Sequence, residues 1–220
     1  FAVSIMPCTS KKFECERPEK RSSGYIDVDA VLTTRELARM LREAGIDPTA
    51  LEPAAYDAPL GIGTGAAVIF GATGGVMEAA LRTVYEVVMK KELPSLDFRE
   101  VRGFEGIKEA EVALGDTIVR VAVAHTLGNA RRLLERVRSG EASYHFIEIM
   151  ACPGGCIGGG GQPIGTNTER RLERIDAIYQ ADRDLPLRKS HENPEVKQLY
   201  EEFLGEPLGH KSHELLHTHY

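Results

Sequence analysis

Apolar positions along this chain switch between two periods. Short β-branched runs at Ala2 to Met6, Val28 to Leu32, Ala66 to Phe70, Thr117 to Ala124 and Tyr144 to Ile149 read as strands. Amphipathic stretches lie between them. Thr33-Thr34-Arg35-Glu36 forms a capping box, Leu37, Met40, Leu41 and Ala44 then share a helical face, and Gly45 stands where a C′ glycine ends a helix. Val76 to Lys91 repeats the helical period with Met77, Ala80, Leu81, Val84 and Val88 on one stripe, and Leu127 to Val137 does so again before Gly140. This alternation predicts a layered α/β fold. The last strand breaks the rhythm: Tyr144 to Ile149 runs straight into a cysteine–glycine loop, at the strand end where α/β sheets place ligands. Ala2 to Met6 likewise runs into Pro7-Cys8, so both cysteine segments are expected to converge on one sheet edge or cleft.

From Thr166 onward only helices are predicted. Thr166 and Glu169 form a second capping box, and Asn193-Pro194 opens a helix that Gly205 closes. His210, His213, His217 and His219 crowd the end; spacing of four can build a metal face, but scattered histidines equally suit a solvated or docking segment.

Composition narrows the possibilities. The net charge is −6, and Arg131, Arg132, Arg136, Arg138, Arg170, Arg171 and Arg174 alternate with glutamates instead of forming a stripe, so nucleic acid is not an expected partner. No apolar run reaches the length of a membrane span, and the start does not resemble a signal peptide. Four cysteines among 220 residues are too few for a disulfide scaffold, which points to a reducing, cytoplasmic setting. The length suits one substantial core or two small lobes around a cleft. Phe1-Ala2-Val3-Ser4-Ile5 opens with strand composition and no initiator methionine, and the chain is expected to be a piece of a longer polypeptide.

Three glycine-rich segments differ in what they can do. Gly61-Ile62-Gly63-Thr64-Gly65-Ala66 fits a dinucleotide fingerprint formally, but the mechanism needs a strand before it and a helix after it, whereas a strand is predicted to follow. Gly71-Ala72-Thr73-Gly74-Gly75 lacks the Lys-Ser/Thr of a phosphate loop and reads as a tight turn exposing N–H groups at a helix start. Cys152-Pro153-Gly154-Gly155-Cys156-Ile157 followed by Gly158 to Gly161 is different. A Cys-x3-Cys pair beside four glycines lets backbone wrap a bulky inorganic ligand. Zinc favours two Cys-x2-Cys pairs, and a plain turn with buried thiols does not account for the glycines.

Met6-Pro7-Cys8-Thr9-Ser10-Lys11-Lys12 and Glu148 to Pro163 resemble the second and third signature motifs of the iron-only (FeFe) hydrogenase catalytic domain. The resemblance extends to Ile69 through Arg82, to Arg188 through Pro194 and to His213-Glu214-Leu215-Leu216-His217, covering nearly the whole chain. It implies a 4Fe–4S cubane linked through one cysteine to a two-iron subcluster carrying CO and CN⁻, together the H-cluster of the full-length protein. Cys8, Cys152 and Cys156 resemble three of its metal ligands, with Cys156 at the bridging position; the fourth belongs to a Thr-Ser-Cys-Cys-Pro motif absent here, expected in an upstream remainder of the polypeptide.

By the same resemblance, Lys11 donates to a cyanide ligand, Met6 and Met150 pack on the two-iron unit, and Phe70 and Gly71 line the pocket near the outer iron. Glu14 is either a proton-handling carboxylate or a salt-bridge partner of Lys11 or Lys12. Cys15 matches no family ligand; it is an ordinary half-buried thiol or, if the fragment binds a cluster alone, the available fourth thiolate. The implied architecture is two α/β lobes flanking the cluster. Here residues 28–138 form one lobe, 1–27 and 139–165 are cluster-binding segments, and 166–220 are a helical tail. The implied activity is reversible H2 oxidation, with ferredoxin or NAD(P)H-linked subunits as electron partners, and the isolated fragment is expected to be inactive. A hydrogenase-like iron–sulfur assembly factor without a two-iron centre is the competing reading. The Phe70-to-Gly75 segment argues against it, and so does the absence of tryptophan, with which those factors typically end. A sensory hydrogenase stays open.

Overall fold

The computed structural model describes residues 1–21 and 23–217. In chain order the elements are β1 (Val3–Met6), α1 (Ser10–Glu14), β2 (Ala30–Thr33), α2 (Thr34–Glu43), α3 (Gly65–Val68), α4 (Gly75–Met89), β3 (Ile107–Leu114), β4 (Thr117–His125), α5 (Leu127–Arg138), β5 (Phe146–Met150), α6 (Thr168–Asp184), α7 (Pro194–Leu199) and α8 (His210–Leu216). Two compact units gather them. One takes Phe1–Ile62, Gly159–Thr166 and the chain from Pro194 onward; the other takes Gly63–Gly158 and Asn167–Asn193.

In the first unit β1 and β2 pair in parallel, Val3 opposite Ala30 and Met6 opposite Thr33. Thr33 ends β2 and caps α2. Its hydroxyl accepts the Glu36 N–H at 3.2 Å, and the Glu36 carboxylate accepts the Thr33 N–H at 2.8 Å, so the expected capping box is present. Gly45, at φ 69°, turns the chain out of the helix as Ile46 N–H reaches the Leu41 carbonyl at 2.9 Å. The helix begun at Pro194 widens into a π turn, Tyr200–Leu204, and stops at Gly205 as expected.

The second unit holds a mixed sheet in the order β3-β4-β5. β3 and β4 form an antiparallel hairpin, and β4 and β5 are parallel strands joined through α5. β4 is buried on both faces: Val121 and Val123 pack with Met77 and Leu81 of α4, while Ala122 and Ala124 pack with Leu133 of α5. Double coverage explains the apolar run from Val121 to Ala124 in its second half.

Four expectations are corrected. Ala66 to Phe70 is not a strand: α3 and a 3-10 turn, Ile69–Gly71, occupy it, with the Thr64 side chain accepting the Ala67 N–H at 3.3 Å. An apolar run of five residues is too short for its period to tell a helix from a strand, and small residues let α3 lie against α6, where a Cβ on Gly65 would come within 2.0 Å of Asp182 Oδ1. β3 was not predicted, because Lys108, Glu109 and Glu111 disguise its alternation, although Gly115-Asp116 is a hairpin loop of the preferred length. The α6 cap is Asn167, which accepts the Arg170 N–H at 2.9 Å, while the Thr166 hydroxyl donates to the Pro163 carbonyl at 2.8 Å. Finally, the two cysteine segments follow strands of two separate sheets, β1 and β5, which overturns the sheet-edge alternative of the expected sheet edge or cleft.

A buried ion network ties α4 to α6. Arg82 donates to both Asp182 oxygens at 2.7 and 2.8 Å and to Glu78 at 2.7 Å; Arg102 binds Glu78, and Arg188 reaches Asp182 at 2.6 Å. The side chains of Glu78, Arg82 and Asp182 are fully buried. Burial alone would raise the Asp182 pKa, but hydrogen bonds and charge from Arg82 and Arg188 outweigh it and hold it below the ordinary value. Removing one member of such a network strands the others in a dry interior. Asp182→Ala is therefore expected to cost about 3–5 kcal/mol, measured as a lowered urea midpoint at unchanged m-value.

Candidate metal centre

The cysteine loop leaves β5 at Met150 and is held from outside. The Gly154 N–H donates to His125 Nδ1 at 3.1 Å, and the Gly154 carbonyl accepts the Thr73 N–H at 2.9 Å. Within the loop, Gly155 N–H returns to the Cys152 carbonyl at 3.1 Å and Gly158 N–H to the Gly155 carbonyl at 3.0 Å. Gly154 and Gly155 sit consecutively at φ 78° and 96°, where side-chain-bearing residues are strained. Space forbids a Cβ as well: on Gly154 it would meet Phe104 Cε2 at 2.6 Å, and on Gly155 the Thr73 nitrogen at 2.7 Å and Met150 Sδ at 2.8 Å. Arg174 of α6 donates to the Ile157 carbonyl at 2.9 Å.

Several expected residues come together here. Met150 lies against Gly155, and a Cβ on Gly71 would touch Ile157 at 3.6 Å, so the Phe70-Gly71 turn abuts the residue after Cys156. Cys152 and Cys156 are half-buried, and none of the four cysteines is in a disulfide.

The turn beneath the loop is clamped by a buried acid and a buried base. Glu148 of β5 accepts the N–H groups of Gly74 at 2.6 Å and Met77 at 2.7 Å, serving the start of α4 where Gly74 offers no side-chain cap. Lys108 of β3 donates to the carbonyls of Thr73 at 3.1 Å and Gly103 at 3.0 Å. Burial pushes the Glu148 carboxyl above its ordinary value despite the N–H groups, and pushes the Lys108 ammonium down to about 8 despite Glu148 and Glu105. Sequence reasoning missed His125, Phe104 and Lys108. An acid between Ile147 and Ile149 in a strand was the available signal for Glu148.

Cys8, Met6 and Lys11 belong to the first unit. Met6, Lys11, Glu14, Cys15 and Lys20 line a cavity of about 300 Å3. Glu14 pairs with Lys11 at 2.6 Å and Lys20 at 3.5 Å, and Lys12 turns away to Glu36 at 3.0 Å. Glu14 is held below the ordinary carboxylate range, chiefly by its hydrogen bond to Lys11. Cys15 is half-buried and donates to the Lys12 carbonyl at 3.2 Å. The run of four glycines crosses from one unit to the other and packs on protein in each. A Cβ on Gly158 would meet the Pro153 oxygen at 2.0 Å, one on Gly160 the Thr9 hydroxyl at 3.2 Å, and one on Gly161 the Thr33 side chain at 2.8 Å. Packing thus accounts for glycines that sequence reasoning assigned to room for an inorganic ligand.

The donor set nevertheless fits an iron–sulfur group. Thiols are the soft ligands iron–sulfur clusters use, and the backbone carrying Cys152 and Cys156 is held by outside hydrogen bonds, not by a disulfide. Elsewhere Glu86, His191 and Glu192 bring ligand atoms within 4.8 Å of one another, but Lys189 bonds both carboxylates, at 2.9 and 2.7 Å, and already supplies the countercharge. His213 and His217 stack with ring centres 4.4 Å apart, and His219 lies outside the described residues.

Comparison with known proteins agrees with this donor set. Residues 1–160 match the family described as iron only hydrogenase large subunit, C-terminal domain, and residues 168–220 match iron hydrogenase small subunit. The chain is 55% identical to the NADP-reducing hydrogenase subunit HndD of Solidesulfovibrio fructosivorans, covering 99% of this chain and 37% of that protein. A solved variant of the FeFe-hydrogenase HydA1 from Chlamydomonas reinhardtii superposes with a TM-score of 0.80 at 44% identity, covering 99% of this chain and 62% of the other. Cytosolic iron-sulfur assembly component 3 of Mus musculus is 31% identical over 100% of this chain and 47% of its own length. The chain spans about two-fifths of the length of the hydrogenase relatives it matches.

Lys108 gives the centre a pH signature. An unfolded lysine titrates near 10.5 and the folded one at about 8, so between those values the unfolded chain binds more protons and stability rises with pH. Lys108→Met removes this contribution. Urea unfolding across pH 8 to 10.5 is expected to show the wild type gaining on the variant, by at most roughly 3 kcal/mol.

Proposed function

The chain belongs to the iron-only hydrogenase large-subunit family, and we propose that it forms part of an FeFe hydrogenase interconverting H2 with protons and electrons. The observation that carries this reading is the convergence of Met150 and the Phe70-Gly71 turn on the Cys152–Cys156 loop. In this reading Cys8, Cys152 and Cys156 would be thiolate ligands of an iron–sulfur cluster with a two-iron subcluster, Cys156 being the ligand nearest the two-iron part, and the fourth thiolate would come from a segment outside these 220 residues. The bound cluster supplies the open iron site and the electron store that hydrogen chemistry requires.

The chain's own residues position and shield. Lys11, held by Glu14 at 2.6 Å, offers an ammonium to an anionic diatomic ligand as a charge-assisted hydrogen bond. Glu14, kept ionised by that contact, serves as the partner of Lys11 instead of carrying protons at neutral pH. Met6 and Met150 present thioethers that fill space without donating protons, and Phe70 and Gly71 wall the pocket. Residues 28–138 act as an α/β lobe, 1–27 and 139–165 as cluster-binding segments, and 166–220 as a helical tail. Electrons pass to a ferredoxin or NAD(P)H-linked partner; the NADP-reducing relative supports the latter. Among the described residues no helix is long and apolar enough to cross a membrane, and thiols without disulfides suit the cytoplasm.

The assembly component of Mus musculus supports a second reading, a cluster-binding adaptor with no two-iron centre. Infrared spectroscopy of the matured full-length protein separates the two. CO and CN⁻ bands together with H2 evolution are expected; a protein that binds a 4Fe–4S cluster but gives neither is the adaptor. The isolated 220 residues are expected to evolve no H2, and turnover by them alone would overturn the need for an outside ligand.

A further inference from the structure

His125 makes hydrogen bonds through both ring nitrogens to groups around the cysteine loop. It ends β4, opposite Met150 in the β4–β5 ladder. Its backbone is fixed on both sides: its N–H donates to the Gly106 carbonyl at 3.1 Å, and its carbonyl accepts Asn129 Nδ2 at 2.7 Å. The next residue, Thr126, stands at φ 69° and donates its N–H to the Met150 carbonyl at 2.8 Å. The ring is 5% exposed and rests on Phe104 with centroids 5.1 Å apart.

The two contacts fix its proton. Gly154 N–H can only donate, so Nδ1 carries the lone pair; the hydrogen is then on Nε2 and goes to the Phe104 carbonyl at 3.2 Å. The ring thus accepts through Nδ1 and donates through Nε2. Phe104, whose carbonyl takes this bond, also packs on Gly154, its ring 2.6 Å from where a Cβ would stand.

We propose that His125 is the positioning residue of the Cys152–Cys156 loop. By holding the Gly154 peptide through Nδ1 it sets the direction of the peptide midway between the two thiols, and so their separation before any cluster arrives. The proposal rests on the reading of these cysteines as cluster ligands. A preset thiol pair lowers the ordering cost of binding, and loss of such outer partners typically weakens metal sites about 10- to 100-fold.

Three substitutions separate the acceptor from mere volume. Asn places an amide oxygen near Nδ1 and keeps an acceptor for Gly154; Gln reaches the Nε2 position and keeps only the bond to Phe104; Phe fills the space and keeps neither. In the full-length protein carrying a reconstituted 4Fe–4S cluster, chelator-driven cluster loss is expected to be at least about tenfold faster in His125→Phe and His125→Gln. His125→Asn should stay within about threefold of wild type. The midpoint potential and electron paramagnetic resonance signal of the cluster should follow the same split. Amide exchange at Gly154 in the cluster-free protein supplies the independent readout: it should accelerate in the Gln and Phe variants and recover in Asn. Should Phe fail to fold, the Asn–Gln pair carries the test. Equal exchange and equal cluster retention in Asn, Gln and wild type would overturn the role of His125. A wild-type protein that takes up no 4Fe–4S cluster, yet shows the exchange split, would leave the anchor standing and sink the hydrogenase reading.

Discussion

Gly154 is hydrogen-bonded through both its N–H and its carbonyl, so the two peptide groups that flank it are each held, and much of the second unit supports those two bonds. Its N–H needs an acceptor at the end of β4, and its carbonyl needs a donor at the start of α4. β4 must therefore stop at His125, and the turn before α4 must present the Thr73 N–H outward. Glu148 and Lys108 meet that second requirement, one binding the turn's N–H groups and the other its carbonyl. A loop carrying two left-handed glycines in succession has little intrinsic preference for one shape, and contacts supplied by three strands and a helix give it one.

Such contacts are expensive to bury. Glu148, Lys108, Glu78, Arg82 and Asp182 all sit in the interior of a unit whose hydrophobic clusters are modest and rich in alanine. Isolated charges there would cost far more than they contribute, and each instead meets backbone or opposite charge. Alanine and glycine are the counterpart of this arrangement. Small side chains at Gly65, Ala66 and Ala72 let helices approach closely enough for Asp182 to reach Arg82, and for the turn at Thr73 to reach the cysteine loop. Polar specificity has been bought with close packing, and the loop's shape depends on both.

Much of this was legible beforehand, and the misses share a cause. Capping at Thr33, the extent of α4, the end at Gly205 and the strand leading into the cysteine loop follow from local rules that need no partner, whereas the predicted stripe of α4 fails in its second half, where Val84 and Val88 are exposed. Ala66 to Phe70 misled because five apolar residues are too few for periodicity to separate one helical turn from a strand. β3 was hidden because one of its inward residues is a lysine, which the alternation rule scores as outward. The cysteines and methionines of the centre stood out by residue type and spacing. His125 did not, since a lone histidine after an apolar strand has no spacing to read; only the fold brings it to Gly154, 29 positions away.

The glycines show how one signal can be right for two reasons. Four in a row beside a cysteine pair suggest room for an inorganic ligand, and the family of this chain supports such a ligand. Yet Gly158 and Gly161 are each required by protein atoms, Pro153 in one unit and Thr33 in the other, and Gly160 packs closely on Thr9. Gly161 also donates its N–H to the Pro7 carbonyl at 3.0 Å, next to Cys8. Within the first unit, Gly161 is thus seated against the turn bearing Cys8. A side chain at Gly158 or at Gly161 would disturb the backbone next to a thiol of its own unit. Glycine here is a constraint on how each cysteine-bearing backbone packs within its unit, whatever the cysteines go on to bind.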